Sequence, residues 1–329
     1  MKRLSAIAAF VLAVVPLPAF AWGTTGHHLV NRVAREWLPT YLPGFVRTPE
    51  ATAAVVSFGT EMDRLKGAGD SWDRDLDPGH YVDVGDDGLI AGAIHLDALP
   101  ETMDSYDKML RTADTSPYRI GYLPYTIADG WEQLRKDFAY WQAFNYLATH
   151  AATPKARAAF ANERALREDL TLHDIGVWAH FVGDGSQPLH VTVHYNDGGM
   201  HEPFEGAFVR DHVTAEGVSQ LMGPNEQRPP RELVSQSELM KTIGTYLVAT
   251  NSQVPKLYAI AKTGGFKEAT PEAIAFATAR VADGARELRD LIMLAYDNSA
   301  YESVGYPEIA LADILSGKVQ ALPQNFGGD

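Results

Sequence analysis

The stretch Ile175-Gly-Val-Trp-Ala-His180-Phe-Val-Gly-Asp184-Gly-Ser-Gln187-Pro188-Leu-His190 decides how this chain is read. On a helix, side chains four residues apart share a face, so His180 and Asp184 project together. Ile175, Val177, Trp178, Phe181 and Val182 make the same segment apolar. Charged groups beside a buried face are costly unless they are paired or hold a metal. Pro188 cannot donate to a helical ladder and is expected to end it, leaving His190 just past the helix, free to turn back towards the same pocket. The next segment, His201-Glu-Pro-Phe-Glu205, repeats the four-residue spacing. Three imidazoles and two carboxylates thus fall within 26 residues, a donor set that suits zinc. Any one of them alone reads as a packed histidine or a solvated acid. Their combination in an apolar segment favours a metal site, large enough for more than one ion.

Outward from this motif, helical periodicity dominates. A long helix is expected over 127–151, where Trp131, Leu134, Phe138, Trp141, Phe144, Leu147 and Ala148 form an apolar stripe. Residues 154–166 are helical and lead through 170–178 into the motif. Further helices are expected at 51–58, 103–111, 235–250 and 271–296, the last with Thr270 as cap and Pro271 at the first helical position. Helix is also expected to continue through 207–222 and to recur at 308–315. Residues 86–99 are mixed and turn-rich, and no segment alternates as a strand does. The expected fold is all-α, one mostly helical domain over residues 22–329.

The chain begins Met-Lys-Arg, runs apolar over 4–20 and reaches Ala19-Phe20-Ala21, a small-x-small cleavage site. Residues 1–21 read as a secretory signal peptide cleaved after Ala21, short for a membrane span and interrupted by Pro16 and Pro18. Export to the periplasm or the medium is expected. With no cysteine, no disulfide framework contributes to stability. The formal charge of −14 becomes two units more negative when Lys2 and Arg3 leave with the signal. An acidic surface argues against a broad electrostatic footprint for duplex nucleic acid, though not against a phosphate substrate drawn to bound cations. Nothing indicates an obligate protein partner.

Cleavage exposes Trp22 at the head of Trp22-Gly-Thr-Thr-Gly-His27-His28. A free α-amine titrates near pH ~8, so it can serve as a nitrogen ligand with the Trp22 carbonyl beside it. His27 sits where it could complete such a site, near the start of a helix carrying Leu29, Val30, Val33, Ala34 and Trp37; His28 points elsewhere. Asp63 lies in Gly59-Thr-Glu-Met-Asp63-Arg64-Leu65-Lys66, and His80 and Asp83 in Gly79-His80-Tyr81-Val82-Asp83. Asp70, Asp73, Asp75 and Asp77 crowd the loop between them, and spacing does not say which carboxylate matters. His173, seven residues before His180, reads as a packed or hydrogen-bonded histidine.

Trp22 with His27 five residues on, Asp63, His80, His180-x3-Asp184-x5-His190 and His201-x3-Glu205 resemble the trinuclear-zinc superfamily of bacterial zinc-dependent phospholipase C and the single-strand-specific nucleases. The likeness covers the ligand positions and about half the chain, and its core is Gly-Asp-x-x-Gln-Pro-Leu-His. It implies an all-α fold of that type and three zinc ions. The first would lie among Asp63, His80, His180 and Asp184; the second among Trp22, His27 and a bridging Asp184; the third among His190, His201 and Glu205. It further implies in-line hydrolysis of a phosphate ester with water as nucleophile, Asp63 and Asp184 being the carboxylates at the reacting centre. Tyr81 and Asp83 fall where the nucleases stack and hydrogen-bond a base, and Lys66 near the position of a phosphate-binding arginine, a point charge in place of a fork.

The two branches of the superfamily differ in substrate. The short Trp22 to His27 spacing resembles the nucleases, whereas His-x3-Glu with Phe204 before the acid resembles the phospholipases. The expected function is a phosphodiesterase of endonuclease or 3′-nucleotidase type acting on single-stranded nucleic acid or nucleotides, with phospholipase C acting on phospholipid as the alternative. A zinc-binding protein without turnover is a minor third.

Overall fold

The computed structural model describes residues 22–65, 76–223 and 234–327. In chain order its helices are α1 (Thr24–Glu36), α2 (Pro49–Phe58), α3 (Glu61–Leu65), α4 (Met103–Thr112), α5 (Pro117–Ile120), α6 (Leu123–His150), α7 (Pro154–Asp184), α8 (Val209–His212), α9 (Ala215–Leu221), α10 (Gln236–Asn251), α11 (Val254–Lys262), α12 (Pro271–Ser299) and α13 (Leu311–Leu315). Among the described residues, strand is confined to two antiparallel pairs, β1 (Leu89–Ile90) with β2 (Ile94–His95) and β3 (Ser303–Val304) with β4 (Ile309–Ala310). The fold is mostly helical, as the periodicity predicts.

Helices α6 and α7 form an antiparallel pair that carries the site. Phe144 stacks on Phe160 near the turn, with ring centroids 6.1 Å apart. At the far end the Trp178 indole donates to Ile127 O at 2.9 Å. Gly130 makes that approach feasible, because a Cβ there would lie 2.0 Å from the Trp178 ring. Thr153 starts α7 by accepting from the Ala156 amide, with Pro154 at the first turn. The helix ends at Asp184, before Pro188, and a 3-10 turn over Pro188–His190 follows. Helix α12 crosses behind α1 and α7, where a Cβ on Gly284 would touch Val30 and Ser186. The main core, with Val30, Trp131, Ile175, Val182, Leu247 and Leu288 buried, lies between these helices. A smaller cluster of Phe144, Phe160, Val304, Leu311 and Ile314 packs under the β3–β4 hairpin.

Two expected helices take other forms. Residues 207–222 are not continuous: a π-helical turn over Pro203–Phe208 leads into α8, Val213 and Thr214 are extended, and the Thr214 side chain accepts from the Gly217 amide to start α9 afresh. A threonine oxygen competes with the helical ladder for that amide, and capping wins where the chain must turn. Residues 308–310 belong to the hairpin instead of a helix, which begins only at Leu311. Gly305, with φ of 78°, supplies the left-handed residue that closes this turn.

Candidate metal centre

Among the described residues, three groups of side chains bring ligand atoms within 4.8 Å of one another: His27, His180 and Asp184; Asp63, His80 and His180; His190, His201 and Glu205. His180 and Asp184 come from the last turn of α7, His27 from the first turn of α1, Asp63 from α3 and His80 from the 3-10 turn Asp77–His80. His190 closes the turn after α7, and Glu205 sits inside the π-helical turn. His27, His80, His180, Asp184, His190, His201 and Glu205 are all buried. Asp184 lies at the carboxyl end of a 31-residue helix, where the backbone dipole opposes a buried negative charge. A cation at that point relieves both costs.

The separations fit ions held by nitrogen and oxygen. Asp184 Oδ1 is 3.5 Å from His27 Nε2, and its Oδ2 is 3.5 Å from His180 Nε2. His180 Nε2 is 3.6 Å from Asp63 Oδ1, and His190 Nε2 is 3.6 Å from Glu205 Oε2. Two ligands about 2.1 Å from a tetrahedral zinc stand about 3.4 Å apart. These four distances lie beyond hydrogen bonding and close to that value. His201 Nε2 and Glu205 Oε2 stand closer, at 2.9 Å. Because the two oxygens of Asp184 face different imidazoles, this one carboxylate can serve two ions.

Backbone carbonyls orient the rings. His180 Nδ1 meets Gly59 O at 2.9 Å, His190 Nδ1 meets His80 O at 2.7 Å and His80 Nδ1 meets Asp77 O at 3.1 Å. A carbonyl only accepts, so each Nδ1 carries the proton and each Nε2 presents its lone pair inward, the usual arrangement behind a metal-bound histidine. Gly59 is needed for the first of these contacts, since a Cβ there would lie 2.0 Å from the Asn31 side chain. Burial pushes the Glu205 carboxyl up, but the imidazoles of His190 and His201 outweigh it and hold the group below its ordinary value.

Trp22 is buried, with its indole donating to Gly183 O at 2.8 Å and to Ser186 Oγ at 2.9 Å, and the Gly23 amide donating to Glu205 O at 3.3 Å. The head of α1 is thereby fastened between the segments carrying Asp184 and Glu205. Tyr81 and Asp83 are half-buried next to His80; burial raises the Asp83 carboxyl to about 7 and, with Asp83 and Asp77 nearby, the Tyr81 hydroxyl to about 12. Asp83 lines a cavity of about 390 Å³ with Asp86, Asp87 and Ile120. Lys66 and residues 1–21 lie outside the described residues, as do Asp70, Asp73 and Asp75. Asp77 gives its carbonyl to His80, while Asp63 gives its carboxylate to the cluster. His28 is half-buried at the pocket edge, and His173 is exposed and bonded to Asp174 at 2.9 Å.

Three residues acquire their roles only in three dimensions. Arg64 lines, with Asp63, Thr60, Glu202 and Glu205, a pocket of about 410 Å³ opening on the centre. Gln187 bonds Glu205, and His194 bridges Asp86 and Asp197. Arg64 and His194 are short-range unremarkable in sequence, and Gln187 was visible only as part of the motif.

No protein-family model and no curated protein matches this chain. The centre therefore stands on its own chemistry: buried histidines and carboxylates that could hold metal ions, with no thiolate among them.

Proposed function

We propose that this chain is an exported zinc-dependent phosphodiesterase holding three ions and cleaving single-stranded nucleic acid or nucleotides. The observation that carries the reading is that His180 belongs to two adjacent ligand groups while the two oxygens of Asp184 face different imidazoles, an arrangement that suits ion sites side by side, as two-metal hydrolysis of phosphate esters requires. Nitrogen and carboxylate donors without sulfur favour zinc over softer ions. The ligands would be Asp63, His80, His180 and Asp184 for one ion, Trp22, His27 and Asp184 for a second, and His190, His201 and Glu205 for a third. When bound, such ions supply Lewis acidity and a water acidic enough to attack at neutral pH.

The remaining work falls to the chain's own residues. Arg64, at the pocket mouth beside Asp63, offers a guanidinium to a phosphate oxygen. Tyr81 and Asp83 offer a ring face and a carboxyl to a base. Burial of the ligands keeps bulk water from the carboxylates, and the carbonyl contacts hold the histidine rings in one tautomer. Phospholipase C is the second reading, favoured by a glutamate at 205 preceded by Phe204.

The test is parallel hydrolysis of single-stranded DNA, RNA and phosphatidylcholine vesicles by the processed protein, with metal content measured alongside and a chelator control. Cleavage of nucleic acid with about three zinc per chain is expected. Turnover of lipid alone would transfer the assignment to phospholipase C, and bound zinc without turnover of any substrate would leave a metal-binding protein.

A further inference from the structure

Tyrosines occupy both sides of the platform formed by residues 78–84 and 117–123. Behind it, Tyr106 and Tyr125 are buried, with ring centroids 4.8 Å apart, and bond to Gly121 O and Pro100 O, each at 2.9 Å. These two belong to the core. Towards solvent, Tyr118 is 55 % exposed and Tyr195 is 53 % exposed, and Tyr81 and Tyr122 are half-buried. Tyr118 meets Tyr122 edge-on at 6.2 Å. Tyr122 lies over Gly79, where a Cβ would be 3.2 Å from its ring. The Tyr81 ring lies against Gly121, the residue before Tyr122, where a Cβ would be 2.7 Å from it, and Tyr195 stands edge-on to the candidate ligand His201 at 6.3 Å.

The platform is rigid and tied to the metal centre. Tyr122 N donates to Pro78 O at 2.8 Å, Asp83 N to Ile120 O at 2.7 Å and Leu123 N to Tyr81 O at 3.1 Å. Val82 N donates to His190 O at 2.9 Å, so the backbone between Tyr81 and Asp83 is bonded to a ligand residue. Large amphipathic rings held on fixed backbone lose little entropy on binding, and every nucleobase has a face to stack on them.

We propose that Tyr195, Tyr122 and Tyr118 extend the surface of Tyr81 into a stacking track for successive bases of a single-stranded nucleic acid, running from the metal centre outward. The inference rests on the nuclease reading of that centre and adds residues to it. Asp77, Asp83 and Asp86 border the track and Arg119 is the cation beside Tyr118, so attraction for phosphates along it is weak. Stacking therefore dominates, and affinity depends on oligomer length more than on salt.

The experiment compares the zinc-loaded protein with Tyr118→Ala, Tyr118→Phe and Tyr195→Ala on oligothymidylates of two, four and eight nucleotides and on bis-p-nitrophenyl phosphate. Anisotropy of fluorescein-labelled octathymidylate measures binding without turnover. Tyr118→Ala is expected to raise KM for the octamer about tenfold at unchanged kcat, to leave the dimer and the small diester unaffected, and to be rescued by phenylalanine. Tyr195→Ala should affect the shorter oligomers too, because it is nearer the centre. An unchanged octamer KM in both alanine variants, with hydrolysis intact, overturns the track and leaves the nuclease reading standing. Tyr118-dependent binding of the octamer without hydrolysis by the unaltered protein would sink the nuclease reading and keep the track. Loss of binding to phosphatidylcholine vesicles, in place of the oligomer, on Tyr118→Ala would overturn it in favour of a lipid surface.

Discussion

Gln187 donates its side-chain amide to Glu205 Oε2 at 2.8 Å while its carbonyl oxygen accepts from the Leu189 amide at 2.7 Å. Both ends of one buried amide are thus used, one to hold a carboxylate and the other to shape the turn that presents His190. The same Glu205 oxygen faces His201 and His190. Its orientation in the third ligand group depends on a residue that contacts no candidate ion.

Gln187→Met keeps the volume and removes both bonds. Affinity of the third site for zinc is expected to fall about 10-fold to 100-fold, the usual cost of losing a partner behind a metal ligand. Competition against a coloured chelator reads this directly. Three sites of unaltered affinity in the variant would show that Gln187 only shapes the turn.

Asp184→Asn should cost more than Glu205→Gln. One oxygen of Asp184 faces His27 and the other faces His180, which also belongs to the Asp63 group, whereas the group holding Glu205 shares no residue with the others. Two ions lost against one is the expected metal content, with activity lower by at least about tenfold in the Asp184 variant. Equal, modest losses in the two proteins would contradict a shared carboxylate.

A protein retaining even one residue ahead of Trp22 should hold one zinc fewer than the processed chain, because the Trp22 nitrogen is then an amide without a basic lone pair. The buried indole, bonded to Gly183 and Ser186, should still dock. Metal analysis of the two forms decides the matter, and three ions in both would remove the amine from the ligand set.

His194 ties two surface segments through Asp86 Oδ1 at 2.8 Å and Asp197 Oδ2 at 2.7 Å. Its pKa is raised above 6.5 by the bond to Asp86 and then by that to Asp197. A raised histidine contributes fully below its unfolded value of ~6.5, and the contribution is lost as pH climbs through the higher folded value. Protection of the amides over residues 191–199, taken relative to intrinsic exchange at each pH, should therefore fall above neutral pH, and His194→Gln should flatten that step. Wild-type protection that does not change with pH in this range would show that the bridge does not order the loop.

The pairing of His180 with Asp184 and of His201 with Glu205 was legible in the chain because four-residue periodicity places such pairs within one helical turn. Thr270 announced a helix start for the same local reason, accepting from the amide three residues on, as Thr153 and Ser235 also do in the structure. Thr214 also caps a helix, but inside a stretch apolar enough to read as continuous, and only packing around Val213 selects the break.

What no local pattern contains is the direction of the imidazoles. Gly59 O lies 121 residues from His180, and His80 O lies 110 residues from His190, yet these carbonyls determine which nitrogen faces the carboxylates. Arg64 at the pocket mouth and Tyr195 beside His201 likewise acquire meaning only from neighbours brought by distant elements. The sequence by itself determined the residue types and their helical spacing, which are properties of a single turn. The convergence of α1 and α3 on His180 of α7, and with it the fit to metal ions, was decided by tertiary packing, because ligand separations of a few ångströms depend on where whole helices come to rest.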